Sequence, residues 1–60
     1  MHPVADPTRW YAIRMATLLG PARAARRLRV GVADLARVCA GWPVARRIEV
    51  AIEVARSRDT

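Results

Sequence analysis

An all-α domain is the fold class this sequence predicts, and three observations predict it. Apolar residues recur three and four apart, no stretch alternates as a half-buried strand does, and Gly/Pro pairs cut the chain into helix-sized segments. Four helices are expected at about 7–19, 21–28, 32–40 and 43–56. They should form one compact domain over residues 1–60, with 1–5 and 57–60 flexible.

The first helix opens at Asp6-Pro7. Asp is a favoured N-cap, and Pro suits the first helical position because its missing N–H would have no partner there anyway. Tyr11, Met15, Leu18 and Leu19 share one face, which Trp10, Ile13 and Thr17 widen. Gly20-Pro21 ends this helix and starts the next, where Ala24, Ala25 and Leu28 form the apolar side and Arg23, Arg26 and Arg27 lie elsewhere. Arg29-Val30-Gly31 breaks the second helix, and the third carries Leu35 and Val38 inward. Gly41-Trp42-Pro43 is a strong stop. In the fourth helix Val44, Ile48, Ala51, Ile52 and Ala55 stack on the inner side, with Arg46, Glu49, Glu53 and Arg56 on the solvated side.

Size and composition bound what such a domain can do. Sixty residues bury only about 60% of the surface they expose when unfolded, so the core is marginal and a second copy is the expected support. Cys39 is the only cysteine and His2 the only histidine, which excludes an internal disulfide and leaves no zinc set. No metal or other cofactor is expected. The net charge is +6, from 11 basic and 5 acidic residues, and every basic residue is Arg. Such an excess attracts polyanions, nucleic acid foremost, although it also serves plain solubility. No segment reads as a signal peptide or membrane span, so a cytoplasmic protein without a membrane partner is expected.

Two short helices separated by a three-residue turn are the outline of a helix-turn-helix. Where the second helix crosses the first, a small residue is required, and Ala25 supplies it. Ala24, Leu28, Val30, Leu35 and Val38 fill the other inward positions, all apolar. Ala24-Ala25-Arg26-Arg27-Leu28-x-Val30, followed by Leu35-Ala36-Arg37-Val38 and Gly41, resembles the helix-turn-helix of the lambda repressor and Cro-like (XRE-type) family. The likeness covers residues 21–41 as the motif and extends loosely over about 50 residues. It implies a dimeric transcriptional repressor bound to an operator in double-stranded DNA. Small phage autorepressors, including those encoded beside anti-CRISPR genes, share this size and layout. One departure is plain: the family usually has Gly four residues after the alanine, where φ is positive, and this chain has Arg29. Either Arg29 adopts a left-handed conformation at a cost of about 1 kcal/mol, or the turn has a variant shape.

A recognition helix over 32–40 offers Val32, Ala33, Ala36 and Arg37 to the bases. Arg37 is the only long donor, suited to guanine, while Val32, Ala33 and Ala36 suit thymine methyls. Asp34 is a discordant charge, a helix cap or an acceptor from cytosine. Arg23, Arg26, Arg29 and Arg46 are the expected phosphate contacts, each with a solvated helix face as its plain alternative. Trp42, Val50 and Val54 form a candidate dimer interface; equally, they cover the first helix within one chain. Trp10, Tyr11 and Trp42 read as core or dimer aromatics rather than base-stacking groups. Cys39 reads as a buried small hydrophobe, and Glu49 and Glu53 as charge balance rather than an acid–base pair. No catalytic constellation and no small-molecule site is present, so no enzyme activity is expected. The alternatives are a helical interaction module of the antitoxin or phage-inhibitor type that does not read DNA, and an Arg-rich RNA binder.

Overall fold

The computed structural model describes residues 3–59, and over them the protein is a four-helix, all-α domain about 26 × 23 × 17 Å across. His2 lies outside the described residues. The helices are α1 (Asp6–Leu19), α2 (Pro21–Leu28), α3 (Val32–Ala40) and α4 (Arg46–Arg58). α1 packs against the other three, and α2 packs against α3 and α4. None of these helices is long and apolar enough to cross a membrane.

Asp6 is not the N-cap of α1. Ala5 holds that position and Asp6 is already helical, so its carboxylate acts through its charge in the first turn, where the helix dipole favours an anion. A single residue, Gly20, turns the chain from α1 into α2. It does so at φ 86, a conformation that favours glycine, and its N–H donates back to the Ala16 carbonyl at 2.9 Å.

Of the face expected for α1, Met15 is buried and Tyr11 and Leu19 pack against the core, but Leu18 does not, and Thr8 and Ala12 extend the buried side instead. Thr8 and Ala12 are fully buried with Met15, whereas Leu18 is 68% exposed and Trp10 63%. Size explains this. Two small residues let the helix backbone come close to its neighbours, and Trp10 and Leu18 are left outside. Thr8 satisfies its hydroxyl by donating to Glu53 Oε1 at 3.0 Å. Tyr11 is half-buried and donates its hydroxyl to Asp59 Oδ2 at 2.7 Å.

The fourth helix begins three residues later than expected. Pro43, Val44 and Ala45 precede it, with Ala45 extended at φ −62, ψ 147. An extended residue spans about 3.3 Å against 1.5 Å in a helix, so this segment carries the chain from the end of α3 to the start of α4. It is anchored by Val44, only 2% exposed. Ile48 and Ile52 then face the core as expected. Glu49 and Glu53 are not on the solvated side: Glu49 is buried beside Arg46 (Nε to Oε1, 3.9 Å), and Glu53 turns towards Thr8. Val4 joins the core, and α4 continues through Ser57 and Arg58.

The centre of the core is Leu28, Leu35, Val38 and Ile52, with Ala24 and Ala25 between α2 and its neighbours. Val30 packs half-buried against it. Trp10 and Trp42 are both 63% exposed, so neither belongs to the core of a single chain.

Candidate nucleic-acid interface

The segment from α2 to α3 is held by its own backbone. Arg29 adopts the left-handed conformation, φ 61 and ψ 41, and is the one non-glycine residue with positive φ among those described. The strain buys a closed helix end: the Val30 N–H reaches the Ala25 carbonyl at 3.0 Å and the Arg29 N–H reaches that of Arg26 at 3.2 Å. Gly31 is extended, and its carbonyl accepts from Leu35 as α3 begins. At the far end Gly41 is left-handed at φ 85, so that Trp42 N–H bonds the Arg37 carbonyl at 2.8 Å.

These constraints leave α3 with an inner face of Leu35 and Val38 and an outer face of Val32, Ala33, Ala36, Arg37 and Ala40, all exposed. All four residues expected to meet bases therefore lie on one accessible surface. The outer face is smooth and almost without polar atoms apart from Arg37, whose Nη1 donates to Asp34 Oδ1 at 3.1 Å. Trp42 lines a shallow, mainly apolar depression with Ala36, Arg37 and Ala40.

The arginines expected at phosphates do not form one group. Arg23 and Arg26 share a depression with Arg27 and Leu19. Arg29 borders another, with Tyr11, Arg27, Arg58 and Asp59. Arg46 stands at the start of α4 near Glu49. All four are exposed, and Arg23, Arg26 and Arg29 have no ion pair among the described residues. Arg27 is engaged within the fold, 3.6 Å from Asp59.

The three residues expected at a dimer interface also divide. Val50 and Val54 are partly exposed one turn apart on α4, lining a depression with Glu53, Ser57 and Arg58, whereas Trp42 lies beside α3. Neither valine covers α1 fully, since each keeps over two fifths of its surface open.

Arg9 is a contributor that the sequence pattern does not reveal. From α1 its Nε donates to the Cys39 carbonyl at 3.2 Å, and its guanidinium passes Gly41 so closely that a Cβ there would touch it at 3.5 Å. A cation at the C-terminal end of α3 satisfies a carbonyl without an intrahelical partner and suits the dipole. The contact spans thirty positions, so no local spacing signals it. Cys39 itself is half-buried, and burial pushes its thiol up, against the opposing pull of Arg9. Among the described residues no group of His, Cys, Asp and Glu could hold a metal ion.

Comparison of the chain with protein-family models, with curated proteins and with solved structures finds no match.

Proposed function

We propose that this protein is a sequence-specific regulator of transcription that binds double-stranded DNA, α3 entering the major groove, and that it acts in the cytoplasm as a dimeric repressor. The single observation that supports this most is the combination on α3. A short helix is held at both ends by left-handed turns and by Arg9, and it turns outward a face small enough to approach base edges, with one arginine projecting from it. Ala33, Ala36 and Val32 suit thymine methyls and Arg37 suits guanine. Exposed Arg23, Arg26, Arg29 and Arg46 provide the phosphate term, which is sequence-independent and salt-sensitive. Val50 and Val54 are the surface for the second copy, whose two-fold axis would give an inverted-repeat operator.

Selection from random duplex DNA, with binding followed against salt, tests this reading. An enriched inverted repeat is the expected result. Arg37→Ala should remove the preference while the helical circular dichroism persists, and Arg26→Ala should lower the salt slope by roughly one unit. A pool that stays random after repeated rounds would remove the DNA-reading claim. Val54→Glu should lower the sedimenting mass without unfolding the chain.

One observation favours a second reading, a helical interaction module of the antitoxin or phage-inhibitor type. The outer face of α3 has a single long polar reader and continues into the apolar depression at Ala40 and Trp42. That reading expects weak DNA binding of equal strength on every sequence.

A further inference from the structure

We infer that Asp34 is the positioning residue that aims Arg37 at one guanine, and that it makes α3 selective by weakening its attraction to DNA in general. The inference rests on the reading of α3 as a DNA-recognition helix. Asp34 lies in the first turn of α3, where the helix dipole favours a carboxylate. Its two oxygens face different ways. Oδ2 lies against the backbone at Gly31, 3.5 Å from where a Cβ would stand, and Oδ1 accepts from Arg37 Nη1 at 3.1 Å. The Asp34 side chain is 29% exposed and that of Arg37 51%, so the acid is the more enclosed partner and the arginine the more open one.

An exposed i, i+3 pair of this kind contributes little to stability. Its consequence is orientation. An arginine has several rotatable bonds and five N–H donors in a fixed fork. Holding Nη1 on the carboxylate restricts the fork to few directions while the Nε and Nη2 donors stay available for the paired O6 and N7 acceptors of guanine. A carboxylate here also repels phosphate. An arginine meant only for phosphate would bind better without it; Arg23, Arg26 and Arg29 have no acid paired to them among the described residues, and Arg46 has Glu49 only at 3.9 Å. The one arginine on the outer face of α3 is held by an acid of the same helix, at 3.1 Å against the 3.9 Å that separates Arg46 from Glu49.

Parallel selections from a random duplex pool with the wild-type chain, Asp34→Ala and Asp34→Asn, scored base by base, test the inference. The wild type should enrich a site with a guanine that Arg37→Ala no longer prefers. Asp34→Ala should lose about fivefold or more of the preference at that guanine and keep its preferences elsewhere. Its binding to unselected duplex DNA should tighten, because a negative charge has gone. Asp34→Asn keeps an acceptor for Arg37 and should retain part of the guanine preference. Asp34→Ala with the full wild-type preference overturns the inference and leaves the DNA reading intact. Equal loss at every base, with loss of helical signal, also overturns it and makes Asp34 structural. A wild-type pool with no enrichment overturns both.

Discussion

The α2–α3 pair and the α1–α4 pair are built from different residue types and hide different ones. Between α2 and α3 the buried groups are Ala24, Ala25, Leu28, Leu35 and Val38, apolar without exception. In α1 and α4 the buried groups include Thr8 and Glu49, while Trp10, Leu18 and Val54 stay outside. The first pair is short and joined by a tight turn, so its contacts follow from residues a few positions apart. The second pair meets across more than forty positions, and there the requirement is close approach. A fully buried threonine whose hydroxyl has a partner satisfies that requirement better than a large hydrophobe that does not fit.

The sharpest test of the contrast compares two leucines. Leu28→Ala removes a side chain that is 1% exposed at the centre of the core, and should cost about 3 kcal/mol in urea unfolding. A domain of this length has a stability of only about 3–9 kcal/mol, so this variant should be largely unfolded when warmed. Leu18→Ala, at 68% exposed, should shift the midpoint by no more than about 0.5 kcal/mol in a monomer. Equal losses from both would mean that Leu18 is covered by a second copy, and the Leu18→Ala effect would then grow with protein concentration.

Next in size is Thr8→Val. The replacement has nearly the same shape, but it strips Glu53 of its donor at 3.0 Å and leaves a half-buried carboxylate without that bond. A loss of about 1–2 kcal/mol is expected. Thr17→Val serves as the control, since the Thr17 hydroxyl bonds only the Ile13 carbonyl one turn back on an exposed face. A Thr8→Val chain as stable as the wild type would mean that burial alone, not the hydroxyl, holds α1 in its register.

This contrast also marks how far the chain could be read before its structure was known. The helix boundaries of α2 and α3 and the buried alanine at their contact were legible, because turn chemistry and small-residue spacing act over one or two turns; the sequence left a left-handed Arg29 and a variant turn both open, and the structure has the former. The exposed positions of Val32, Ala33, Ala36 and Arg37 follow directly from that register. The face of α1 was legible only in part: Tyr11, Met15 and Leu19 turn inward as expected, but Leu18 does not, and Thr8 and Ala12 were missed. Tyr11–Met15–Leu18–Leu19 and Thr8–Ala12–Met15–Leu19 are both helical stripes, and only the neighbouring helices decide between them. The delayed start of α4 was hidden for a similar reason, since Pro43 is as compatible with an extended segment as with a first helical turn. The Arg9 contact with Cys39 depends on where α1 passes α3, which no local pattern encodes. The sequence suggests Asp34 as a helix cap or an acceptor from cytosine and misses its pairing with Arg37, although the two are three apart on one helix, a spacing that brings side chains together.

Arg29 gives a smaller effect, on the legible side of the comparison. Arg29→Gly relieves a left-handed side chain at φ 61 but makes the unfolded chain more flexible. The relief should win by about 0.5–1 kcal/mol, raising the denaturation midpoint. If Arg29 also meets a phosphate, the more stable variant will bind DNA less well and with a salt slope lower by about one unit. Stability rising while affinity falls would show that a strained residue is kept there for its charge. A gain in both would leave Arg29 with no part in binding.

The smallest effect belongs to the illegible side, where Tyr11 and Arg27 converge on Asp59 at the end of α4. Burial first, then the hydrogen bond to Asp59 and the charge of that carboxylate, push the Tyr11 hydroxyl above its ordinary value of 10.0, while Arg27 pulls it down. The protonated phenol is the form that donates to Asp59. Its folded value is raised over the unfolded one, so between the two the native chain holds a proton that the unfolded chain has lost. The contribution is complete below the unfolded value and is lost as pH rises through the folded one. Because the contact lies near the surface it should amount to no more than about 0.5 kcal/mol. Urea midpoints taken between about pH 9 and pH 11 should therefore fall slightly more steeply for the wild type than for Tyr11→Phe. Parallel curves would mean that α4 is held to α1 by Thr8, Glu53 and the isoleucines, with the Tyr11–Asp59 contact adding nothing to the attachment of its last turn.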